Sequence, residues 1–136
     1  MDNSVDWAAL RESALAAALH AYAPYSGLRV GCAALVDDGR IISGCNVENA
    51  SYGLTLCAEC VMIGQLHLGG GTAGVAAGML VAFDCVDDSG RTLTPCGRCR
   101  QLLCEAAAPG LVLNTPAGPK PIAEMLPEAF GPGALE

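Results

Sequence analysis

The chain has 136 residues, of which 52% are apolar and 15% charged, with a formal net charge of −7. This length suits a single domain over residues 1–136, and the apolar fraction is ample for a core, with some to spare for subunit interfaces. The acidic balance argues against a nucleic-acid partner, which needs a basic patch, and favours a small-molecule substrate.

Trp7 to Tyr22 is alanine-rich, with Leu15, Leu19 and Tyr22 at helical spacing. It predicts a helix capped by Ser4 or Asp6 and ended by Pro24. Val30 to Val36 is a continuous apolar run, followed by Asp38-Gly39 and Ile41-Ile42. That reads as a strand, a tight turn and a second strand. Asn46 to Leu56 reads as a long connection with polar punctuation. Ala58 to Leu68 reads as a helix with Cys57 at its start and Gly69-Gly70-Gly71 as its stop. Met79 to Cys85 reads as a buried strand. Cys96 or Gly97 to Ala107 predicts a helix ended by Pro109-Gly110, and Leu111 to Leu113 a short strand. Ile122 to Leu126 suggests a short helix, and Gly131-Pro132-Gly133 a loose tail. Strands alternating with helices indicate a three-layer α/β domain.

The charge-free stretch between Cys60 and Phe83 is broken by the glycine run, Gln65 and His67, so neither half is long enough to span a membrane. Met1-Asp2-Asn3-Ser4 has none of the character of a signal peptide. The eight cysteines are therefore expected to be reduced, and the location cytoplasmic.

Two cysteine clusters carry the chemistry. The first is Cys57-Ala58-Glu59; the second is Pro95-Cys96-Gly97-Arg98-Cys99. A ligand, a carboxylate two residues on, and a later Pro-Cys-x-x-Cys pair form the signature of zinc-dependent nucleobase deaminases. Cys57, Cys96 and Cys99 would hold Zn2+ and leave its fourth position open, while Glu59 moves protons. Both clusters begin a predicted helix, where the partial positive charge of the helix end stabilises thiolates. Lone cysteines are more often core filler, and Cys32, Cys45, Cys85 and Cys104 read that way. A competing pattern includes Cys60: Cys-x-x-Cys twice over, a structural four-cysteine zinc module without catalysis. The long gap from Cys60 to Cys96 and a core that needs no metal count against it. Glu59, amid Leu56, Val61 and Met62, is expected to be buried. As bare residues, Asn46 and Glu48 fit turn hydrogen bonds as well as substrate contacts.

Asn46-Val47-Glu48-Asn49-Ala50-Ser51-Tyr52-Gly53, with the two cysteine clusters and Arg100-Gln101, resembles the small homotetrameric cytidine deaminases. Pro24-Tyr25-Ser26 with Val30-Gly31, and Leu126-Pro127-Glu128-Ala129-Phe130, resemble that family's N-terminal and C-terminal segments. The resemblance runs from about residue 7 to 130 and implies a mixed five-stranded sheet in an α/β/α sandwich, with four active sites built at subunit contacts. It implies a zinc hydrolase acting on a cyclic amidine: cytidine and 2′-deoxycytidine to the uridines and ammonia, as in pyrimidine salvage. Asn46 and Glu48 would bind the ribose hydroxyls and the Ala58 backbone the pyrimidine edge. Ala50, Tyr52 and Phe130 would close the pocket from neighbouring subunits. The same cysteine motifs occur in blasticidin-type aminonucleoside deaminases, from which the Asn46–Tyr52 segment turns the reading toward plain nucleosides.

The chain departs from that family in three places. Leu28 stands where Phe commonly packs on the base, keeping an apolar wall without a π-face. Cys60 stands where an arginine commonly follows the glutamate. Arg98 stands where a small residue is usual, and is expected to replace the missing charge by hydrogen-bonding thiolate sulfur. No organic cofactor is expected, because zinc lowers the pKa of water from near 16 to roughly 7.

Overall fold

The computed structural model describes residues 5–70 and 78–136. The described elements, in chain order, are α1 (Trp7–Ala18), β1 (Val30–Val36), β2 (Ile41–Cys45), α2 (Ala58–Leu68), β3 (Leu80–Asp87), α3 (Gly97–Ala106), β4 (Ala107–Leu113), β5 (Lys120–Pro121) and α4 (Ile122–Met125). The sheet runs β2-β1-β3-β4-β5. Among the described strands only β3 and β4 pair in parallel, and the other pairs are antiparallel. A parallel pair needs a crossover, which α3 supplies.

The sheet is covered on both faces. Leu10 and Ala14 of α1 pack on Ala33, Ala82 and Val86. On the other face, Met62 and Leu66 of α2 and Leu103 of α3 pack on Cys32, Ala34, Phe83 and Cys85. Successive β1 side chains point to opposite faces, so a continuous apolar run is what a twice-covered strand requires. The three layers and the mixed five-stranded sheet agree with the expectation.

Gly44 sets how closely α2 approaches. A Cβ there would lie 2.4 Å from the Ala58 carbonyl oxygen and 2.6 Å from the Met62 nitrogen. The first turn of α2, which carries Ala58 and Glu59, therefore rests directly on β2 backbone.

Several boundaries differ from the sequence reading. Helix α1 ends at Ala18, short of Tyr22. The Tyr22 amide instead donates to the Asn46 carbonyl, and the Tyr22 carbonyl accepts from the Glu48 amide. Pairing with residues 46–48, not Pro24, draws the chain out of the helix. Asp6 caps α1, its carboxylate accepting from the Ala9 amide at 3.0 Å. The other candidate cap, Ser4, lies outside the described residues. Helix α2 does stop at Gly69, while Gly71 of the expected stop lies outside the described residues. Helix α3 ends at Ala106, and Pro109-Gly110 falls inside β4 instead of terminating the helix. Register passes from Leu80↔Ala107 to Ala82↔Val112 across that stretch, so an irregularity absorbs a proline that cannot donate to a ladder. Strand β5 is two residues long and offers no alternating pattern to read. The tail forms a 3-10 turn at Pro132–Leu135.

Candidate active site

The two helices on one face of the sheet bring the cysteine clusters together. Cys57 is the residue before α2, and Cys96 the residue before α3. Cys99 lies in the first turn of α3 and is buried. The three sulfurs lie within 4.8 Å of one another, and Cys57 Sγ to Cys96 Sγ is 4.0 Å. Tetrahedral zinc with sulfurs at about 2.3 Å separates them by about 3.8 Å, so the donor set fits zinc with little movement. Without a cation the arrangement is electrostatically poor. Burial, then the Glu59 charge and the neighbouring thiols, push the Cys99 thiol far above its ordinary range. Burial likewise raises Cys57. At Cys96 burial also opposes ionisation, but the Cys99 amide and the two neighbouring thiols outweigh it and lower its pKa. A dication among the sulfurs would offset these penalties. Cys60 stands outside the cluster of mutually close ligand atoms, which removes the geometric basis of a four-cysteine site.

A cleft of about 320 Å³ opens beside the sulfurs. Cys57, Ala58 and Glu59 line it, as do Leu93, Thr94, Pro95 and Cys96 from the segment ahead of α3. Leu28, Val30 and Asn46 come from the start of β1 and the end of β2, with Thr55 and Cys85 completing the lining. Glu59 is 4% exposed. Burial lifts its carboxyl above the ordinary carboxylate range, with its own amide and the Cys99 thiol pulling the other way. Asn46 Oδ1 accepts from the Val30 amide and its Nδ2 donates to the Leu28 carbonyl, both at 2.8 Å. Each amide group keeps one further hydrogen-bonding position.

Glu48 lies in an adjoining recess of about 210 Å³ with Tyr25, Ser26 and Tyr52, and Thr55 is common to both cavities. Its carboxylate accepts from the Tyr25 and Ser26 amides at 2.9 and 3.1 Å and from the Ser26 hydroxyl. These bonds, the hydroxyl's foremost, hold its pKa below the ordinary value.

The conserved-domain description "Cytidine and deoxycytidylate deaminase zinc-binding region" matches residues 6–115. The chain is 54% identical over 127 residues to a cytidine deaminase of Mycobacterium tuberculosis, covering 93% of this chain and 91% of that one. A crystal structure of cytidine deaminase from Mycobacterium tuberculosis superposes with a TM-score of 0.86 at 53% identity, covering 94% of this chain and 99% of that one. One from Burkholderia pseudomallei gives a TM-score of 0.76 at 37% identity, covering 93% and 100%. The chain belongs to the cytidine and deoxycytidylate deaminase family.

Other residues singled out for this deaminase family lie apart from the cleft. Ala50, Tyr52 and Phe130 are exposed and do not line it. Tyr52 pairs with Tyr25, ring centres 5.9 Å apart, and the Phe130 carbonyl accepts from Gln101 Nε2 at 2.8 Å. Arg98 is exposed, and no hydrogen bond from it to a sulfur is present among the described residues. Arg100 is the arginine that engages this end of the helix, donating to the Pro95 and Met125 carbonyls at 3.0 and 3.2 Å. Sequence reasoning missed Thr55, Thr94, Val30, Cys85 and Leu93 as cleft residues. Thr55 and Thr94 lie two residues before Cys57 and Cys96, a signal of adjacency that was available. Leu93 precedes Thr94 in the same segment, whereas Val30 and Cys85 reach the cleft through strand order, which no local pattern reveals.

Proposed function

We propose that this chain catalyses the hydrolytic deamination of cytidine and 2′-deoxycytidine to uridine and 2′-deoxyuridine, with zinc held by Cys57, Cys96 and Cys99. The observation that carries this reading is the three-sulfur cluster with buried Glu59 in the same cleft. When bound, zinc supplies Lewis acidity that lets water act as a nucleophile near neutral pH. Glu59 would take one proton from the attacking water and deliver it to N3 of the ring as C4 is attacked, then take the proton of the new C4 hydroxyl and pass it to the amino group, which leaves as ammonia as the C4 carbonyl forms. A raised carboxyl pKa suits a group that must both accept and give a proton. The Ala58 backbone meets the pyrimidine edge, and Leu28 forms an aliphatic wall for the base. Asn46 and Glu48 bind the ribose hydroxyls, each from a side chain already fixed by protein hydrogen bonds.

The active form is a homotetramer in which Ala50, Tyr52 and Phe130 close pockets of neighbouring subunits. Exposed apolar side chains support this: Leu19, Tyr22, Tyr25, Leu54 and Leu56 are all exposed in the single chain. The enzyme works in the cytoplasm. Incubation with cytidine should release uridine and ammonia one to one. Consumption of blasticidin-type aminonucleosides with cytidine left intact would overturn the nucleoside reading.

A further inference from the structure

Arg11 lies on α1, across the sheet from the sulfur cluster, yet its guanidinium reaches the chain that leads to Cys96. Its Nε and Nη2 donate to both carboxylate oxygens of Asp84 on β3, at 2.8 and 3.1 Å. The Asp84 side chain is 1% exposed and also accepts from Asn114 Nδ2 at 3.1 Å. The remaining bonds pass beyond the sheet: Nη1 donates to the Gly90 carbonyl at 3.2 Å, and Nη2 to Thr92 Oγ1 at 2.7 Å. Thr92 bridges to Val86, and the Leu93 amide donates to the Cys85 carbonyl at 2.9 Å. From there Leu93, Thr94, Pro95 and Cys96 enter the cleft. Asp87 organises the tip of this loop through Ser89 and Arg91, whereas Arg11 grips the limb that continues to the cysteine.

We propose that Arg11 is a positioning residue for the metal site, holding the Leu93–Cys96 wall through Gly90 and Thr92. The inference rests on the zinc reading above. Neutralising Asp84 requires only a cation, so the bonds to Gly90 and Thr92 are what distinguish positioning from simple charge pairing. Lysine can pair with Asp84 but lacks the rigid fork needed to hold the loop as well.

The test compares wild type with Thr92→Val and Arg11→Lys. Zinc affinity is measured by chelator competition, and thermal unfolding is measured on the zinc-free proteins. Thr92→Val should weaken zinc binding about three- to tenfold, somewhat less than loss of a direct partner of a ligand. Its zinc-free unfolding temperature should stay within about 2 °C of wild type. Arg11→Lys should show the same loss of affinity despite retaining the charge. Wild-type zinc affinity in both variants would overturn the proposal. So would affinity that falls only in step with stability and is recovered in Arg11→Lys. A wild-type protein that binds no zinc would instead overturn the zinc reading itself, and this inference with it.

Discussion

Glu59 occupies the second position of α2, and its burial separates it from an ordinary helix-surface carboxylate. Glu59→Gln keeps shape and hydrogen-bonding reach but cannot carry a proton. It should retain zinc and fold while losing at least about 100-fold in kcat, measured by the absorbance change on cytidine. Cys60, three residues past Cys57, is outside the sulfur cluster. Cys60→Ser should therefore keep one zinc per chain by metal analysis and retain measurable deamination, whereas a structural four-cysteine site would lose metal and unfold together. The triad of sulfurs and Glu59 was legible in sequence because each cluster is local and begins a helix. Arg98 was less legible. It lies between two ligand positions, and spacing alone does not fix where a long exposed side chain points.

At the scale of elements, helices α2 and α3, strand β1 and the hairpin turn were readable because apolar runs and glycine punctuation coincide with them. The end of α1 was not, since the competing pairing of Tyr22 with residues 46–48 is distant in sequence. Pro109-Gly110 misled for a similar reason: a partner strand accommodates the irregularity, so the breaker signal did not mark an end. Gly44 gave no signal of its role, because close contact with α2 exists only after folding. Gly44→Ala forces the first turn of α2 off the sheet and displaces Ala58 and Glu59. We expect activity to fall at least about tenfold, since small misplacements of catalytic groups are costly. Thermal unfolding should drop as well, and an alanine variant with wild-type activity would show that the contact does not position the site.

For the whole molecule, the exposed Leu19, Tyr22, Tyr25, Leu54 and Leu56, with Tyr52 and Phe130, are the surface that the proposed tetramer would cover. Sedimentation should give about four times the 13.8 kDa chain mass, and dilution into monomers should abolish turnover. A fully active monomer would contradict shared pockets. The account stands most directly on one measurement: cytidine turnover by protein stripped of metal with a chelator and then titrated with Zn2+. It predicts no turnover in the stripped protein and full recovery at one zinc per chain. Full activity without metal, or no activity in folded protein carrying one zinc per chain, would contradict it.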